Sequence, residues 1–122
     1  MSNTILFPAG AELRLRLSVG GNFPYKWQIY EYNGANTPEP LDNGSDGRGE
    51  GSTIATASKI EQGVQRRFVW SVAVVSNDDP IEVDVTGQVL DGKRLVGEVK
   101  GPITIKKPFT NCFVHLWVEG IP

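Results

Sequence analysis

Hydrophobic residues in this chain recur at every second position, and no segment sustains the i, i+3, i+4, i+7 spacing of an amphipathic helix. Leu13, Leu15, Leu17 and Val19 alternate with Glu12, Arg14, Arg16 and Ser18, which predicts a strand with one dry and one wet face. Tyr25 to Tyr32 predicts a second, with Tyr25, Trp27 and Ile29 on one side and Lys26, Gln28 and Tyr30 on the other. Ser52 to Ser58 gives a weaker pattern. In the Arg66 to Val75 run, Phe68, Trp70, Val72 and Val74 line one face, while Val69, Ala73 and Val75 leave the other partly apolar. That predicts a central strand covered on both sides.

Ile81, Val83 and Val85 alternate with Glu82, Asp84 and Thr86. Asp91-Gly92 then separates Gln88-Val89-Leu90 from Lys93-Arg94-Leu95-Val96, and both residues tolerate the positive φ of a tight hairpin. Ile103 to Lys106 and Cys112 to Glu119 complete the set, bounded by Pro102 and Pro108. Ile60 to Gln65 leaves room for one helical turn. About seven or eight strands at short intervals predict an all-β, antiparallel sandwich of immunoglobulin-like or jelly-roll type, with a closed barrel as the alternative. Antibody-like paired cysteines are absent, since Cys112 is the only cysteine.

The 122 residues fit one domain over 1–122, large enough to hold a core without a disulfide or metal. The 14 Gly and 8 Pro suit a fold rich in turns. Many of these residues gather with acids and amides in Asn33 to Gly51, which reads as a long loop. Long loops in compact domains are commonly functional. Its Asn36, Asp42, Asn43, Asp46, Arg48 and Glu50 are therefore candidate contact residues.

Reactive groups are sparse. His115 and Cys112 are the only members of their types, and three positions apart on a strand they fall on opposite faces, about 10 Å apart along the chain. A thiolate and its base need contact at about 3 Å. No catalytic residue is expected from them. One His and one Cys also exclude a zinc site built from several such ligands. The acidic loop lacks an oxygen ligand at its third position and Glu at its twelfth when counted from Asp42, so it fails the EF-hand pattern. A different calcium site from Asp42, Asp46 and Glu50 is the remaining metal reading, and no metal or cofactor is expected.

Glu82 and Asp84 sit on one strand face at about 7 Å, within the range of glycosidase carboxylates. They share that face with Thr86 and Gln88, as any wet strand face would, and Arg14 and Arg16 could pair with them across strands. Neither G-x-S-x-G nor a phosphate-binding loop occurs. The basic pairs Arg14/Arg16, Arg66/Arg67, Lys93/Arg94 and Lys106/Lys107 read as solvated surface.

A formal net charge of -2 favours neither nucleic acid nor an anionic membrane as partner. No secretory leader or membrane-spanning run is visible, which gives a cytoplasmic site of synthesis, with incorporation into a particle or release by lysis compatible with it. The expected function is a non-enzymatic structural or assembly module, acting through protein contacts with copies of itself. Small coat, decoration or fibre-associated (virion) proteins are of this kind. Phe113, His115 and Trp117, together on one face of the last strand, are the candidate interaction surface. A carbohydrate-binding, lectin-like module is the alternative, because these aromatics and the amide-rich loop also suit a sugar. A small hydrolase is the third reading.

Overall fold

A computed structural model describes residues 4–20, 25–32, 38–46, 51–74, 81–105 and 111–122. They form strands β1 (Thr4–Pro8), β2 (Leu13–Gly20), β3 (Tyr25–Tyr32), β4 (Pro38–Asp46), β5 (Gly51–Ala57), β6 (Gln65–Val74), β7 (Ile81–Asp91), β8 (Arg94–Ile105) and β9 (Asn111–Ile121). There is no helix among the described residues. The strands build two sheets: a large one ordered β1-β9-β6-β3-β4, and a small one ordered β5-β2-β7-β8. The sheets stay separate and do not close into a barrel, so the chain is an all-β sandwich. All pairings between these strands among the described residues are antiparallel except β1 with β9, which run in parallel.

Alternation explains why the sheets face each other. On β2, Leu13, Leu15, Leu17 and Val19 are buried, and the residues between them are partly wet. Facing them from the large sheet are Phe68, Trp70 and Val72 of β6, Ile29 of β3, and Val114, Leu116 and Val118 of β9. Val83, Val85 and Val89 of β7 complete the same apolar layer. The β7–β8 register shifts between Val89 and Leu90, where Val96 of β8 is the extra, unpaired residue of a bulge. β6 is the middle strand of the large sheet, as its two-sided apolar sequence predicts.

The strand count is nine, because two strands carry almost no alternating signal. β1 is short and ends in Pro8; it is defined by pairing Thr4 with Trp117 through Pro8 with Ile121. Within the expected loop over Asn33 to Gly51, β4 occupies Pro38–Asp46, while residues 33–37 and 47–50 lie outside the described residues. It pairs with β3 from Tyr25–Asp46 to Tyr32–Pro38, with an irregularity at Ile29/Tyr30. Proline and acidic residues disfavour strands, but an edge strand needs only one row of ladder bonds and tolerates both. Conversely, the pieces expected separately around Val85 and Leu90 are the single strand β7, and those around Val96 and Ile103 are β8.

The turn between β7 and β8 is displaced by one residue from its expected centre. Asp91 pairs with Arg94, so Gly92 and Lys93 form the loop, and Gly92 takes φ +60°. Nor is there a helical turn at Ile60 to Gln65. Ile60 is buried in the core, Gly63 has φ +80°, and Gln62 bridges Gly120 in parallel. Backbone bonds from Gly63 N to Gly120 O (2.9 Å) and from Gly120 N to Val64 O (3.0 Å) pin this crossing to β9.

Candidate functional site

The outer face of the large sheet, turned away from the core, carries the candidate site. Strand alternation places Phe113, His115 and Trp117 there on β9; Phe113 is 55% exposed, His115 is exposed and Trp117 half-buried. Register then brings residues from other strands beside them. Ser71 lies opposite Phe113, Val69 opposite His115, and Arg67 opposite Trp117. On the far side of β6, Tyr30 pairs with Val69 and Tyr32 with Arg67. The result is a cross-strand band of Tyr30, Tyr32, Arg67, Val69, His115 and Trp117, with Phe113 at one end.

Val69 reports how closely this band is packed. It points away from the core, yet it is only 1% exposed. Its register neighbours are Tyr30 and His115, and its same-face neighbours on β6 are Arg67 and Ser71. Larger side chains on either side therefore shield it. The rings of Tyr30 and Tyr32 meet edge-on at 5.5 Å, and the Arg67 guanidinium lies 5.3 Å from the centre of the Tyr32 ring. Arg67 Nε is buried without a hydrogen-bond partner, and Arg67 makes no ion pair among the described residues.

Those surroundings move two titrating groups. Partial burial, and secondarily the charge on Arg67, lower His115 from its ordinary 6.5. Burial and the adjacent Tyr32 raise Tyr30 above 10.0, while Arg67 pulls it the other way. His115 is thus biased towards the neutral ring at pH 7.

The remaining candidate residues are dispersed. Asp42, Asn43 and Asp46 lie on β4 and not in a loop, opposite Ile29, Gln28 and Tyr25. Asn36, Arg48 and Glu50 lie outside the described residues, and so does the calcium reading, which needs Glu50. Among the described residues, no group of three or more His, Cys, Asp or Glu could hold a metal ion. Cys112 and His115 both belong to the uninterrupted strand β9, opposite Val72 and Val69 of β6 respectively. Glu82 and Asp84 are not neighbours of the β2 arginines: Asp84 pairs with Gly20, while Arg16 pairs with Gln88 and donates to its Oε1 at 3.3 Å. Arg14 instead lies against Glu12.

The expectation that Arg66 is a solvated surface residue is corrected. Arg66 is 8% exposed and grips Glu31, itself 2% exposed, through Nε to Oε2 (2.5 Å) and Nη2 to Oε1 (2.7 Å). It also donates to the Ser58 carbonyl at 2.7 Å and the Ser58 hydroxyl at 3.0 Å, and its guanidinium lies over Phe68 at 5.2 Å. A planar fork saturated on these sides accounts for burial of both charges. This network ties the segment after β5 to β3 and β6, and serves architecture. Tyr30, Tyr32 and Arg67 are site residues that inspection of β9 alone overlooks. Their signal is present, because each occupies the outward phase of its own strand.

Among the described residues, no helix is long and apolar enough to cross a membrane. No family model, curated protein or solved structure matches the chain.

Proposed function

We propose that this chain is a non-enzymatic assembly module that binds protein partners, copies of itself foremost, through the outer face of the large sheet. The observation that carries the reading is Phe113, 55% exposed at the end of a closely packed aromatic band. Leu6 of β1, on the same side of the sheet, is exposed as well. Fully burying such a side chain is worth about 1.5–3 kcal/mol, so covering the exposed half of Phe113 alone returns about 1 kcal/mol. Arg67, without an acid partner among the described residues, adds a charge that a carboxylate-bearing surface can meet. The chain is itself net acidic, at -2, so another copy supplies such carboxylates.

Sedimentation velocity over a wide concentration range tests this reading, using the wild type and Phe113→Lys. Self-association that weakens in Phe113→Lys, with an unchanged unfolding midpoint, is the expected result. A monomer at every concentration, or association indifferent to the substitution, overturns it. The lectin-like alternative rests on Trp117 and Phe113 as stacking surfaces. A glycan array with and without calcium, positive for the wild type and blank for Trp117→Ala, would favour that alternative.

A further inference from the structure

Four strands form the lateral edges of the two sheets, and three of them carry features that discourage another strand from adding on. β1 is only five residues long and ends in Pro8. β4 contains Pro38 and Pro40, which lack the N–H that a ladder needs, and its pairing with β3 is interrupted by a register shift. β8 carries Arg94, Glu98, Lys100 and Pro102, and Ile5 of β1 leans over it at Gly97.

β5 has none of these. Its sequence, Gly51-Ser52-Thr53-Ile54-Ala55-Thr56-Ala57, contains no charge and no proline. It pairs with β2 in unbroken register from Leu13–Ala57 to Val19–Gly51. Among the described residues no strand is hydrogen-bonded to its other side. Ile54, at the centre of the strand, is 44% exposed. Short, uncharged, proline-free segments of this β-branched character are the ones that pair with their own kind.

We infer that β5 is a docking edge, and that its occupant is β5 of a second copy, paired antiparallel to give one continuous sheet across a dimer. Antiparallel pairing of two identical strands is two-fold symmetric, the usual symmetry of homodimers. Centred on Ile54, it sets Ile54 against its counterpart, Ala55 against Thr53 and Thr56 against Ser52, with no like charges opposed. The cations on the adjoining strand are Arg14 and Arg16 of β2, opposite Thr56 and Ile54. Across such a dimer the two Arg16 positions are separated by three strand spacings, roughly 14 Å, beyond the Debye length of about 8 Å at physiological salt. A foreign strand could use the same backbone groups, but nothing on β5 selects for one, whereas self-pairing satisfies the edge without any added chemistry. The edge is distinct from the aromatic face, so the two surfaces stand or fall separately. A chain that uses both would extend into larger assemblies.

The test combines hydrogen exchange of the β5 amides with sedimentation of wild type, Ile54→Lys, Thr56→Lys and Phe113→Lys. Ile54 and Thr56 are exposed, so both lysines can be accommodated in the folded monomer, which circular dichroism verifies. The expected result is a dimer whose outward β5 amides exchange at least about tenfold more slowly as concentration rises. Each β5 lysine should weaken that dimer about tenfold or more. Exchange on the wild type needs no substitution, so the inference stays testable if a variant misfolds. It is overturned by β5 amides that exchange at a concentration-independent rate. A dimer broken by Phe113→Lys and untouched by both β5 lysines overturns it too, while leaving the face reading intact.

Discussion

The indole of Trp70 fills the space in which a side chain at Gly87 would begin. A Cβ built on Gly87 would lie 2.5 Å from Trp70 Cδ2 and 2.6 Å from Cε3. The contact joins the two sheets, since β6 is the central strand of one and β7 an inner strand of the other. Gly87→Ala should therefore destabilise by about 1–3 kcal/mol through overpacking. Alanine in a strand is otherwise preferred over glycine by roughly 0.5–1 kcal/mol, so the sign isolates the clash. Urea unfolding of Gly87→Ala and of Gly87→Ala with Trp70→Phe provides the check. The double variant should recover part of the loss if the ring is the obstacle. A midpoint at or above wild type in Gly87→Ala would show that the indole simply moves aside.

Glu31 and Arg66 make a second prediction. Removing one member of a buried, hydrogen-bonded pair leaves the other charge uncompensated, and such losses run to about 3–5 kcal/mol. Glu31→Leu and Arg66→Met should each approach that range. Glu31→Leu combined with Arg66→Met should cost much less than the sum of the singles, because no charge is stranded. A double-mutant cycle by chemical denaturation measures the coupling. Single-variant losses below about 1 kcal/mol would mean that water reaches the pair and satisfies the survivor.

His115 gives a prediction with a definite sign. Its folded pKa lies below the ordinary 6.5, so the folded chain holds that proton less tightly than the unfolded chain. The contribution to stability is then greatest above pH 6.5 and declines as pH falls through the lowered value. As the only histidine, its ring proton can be followed by NMR without ambiguity. Arg67→Gln removes the secondary cause and should move the midpoint partway back towards 6.5, with the burial contribution retained. A midpoint above 6.5 in the wild type, or one unmoved in Arg67→Gln, would contradict this account of the face.

Alternation made β2, β3, β6 and the final strand legible because each carries at least three apolar side chains in phase, and burial largely follows that phase, with Val69 of β6 buried on the opposite one. β4 escaped because its pairing is a backbone matter; Pro38, Glu39 and Pro40 give no periodic signal, and only β3 alongside makes them a strand. The Glu31–Arg66 pair was nevertheless written in the same code. Glu31 is in phase with Tyr25 and Ile29, and Arg66 with Phe68 and Trp70. Opposite charges in the buried phase of two strands imply that they meet. Of the aromatic face, the β9 residues were legible alone, whereas Tyr30, Tyr32 and Arg67 join them only through a sheet order that local sequence does not encode.

The parallel alignment of β1 with β9 has a mechanical consequence. Thr4 begins one strand beside Trp117, and Ile121 ends the other beside Pro8. Tension applied between Thr4 and Ile121 would run along both strands and load their shared bonds all at once, in shear, where an antiparallel pair pulled from its adjacent ends would unzip bond by bond. Stretched in a force microscope across those two residues, the chain should resist and then rupture in one abrupt high-force event; gradual low-force peeling would contradict the alignment.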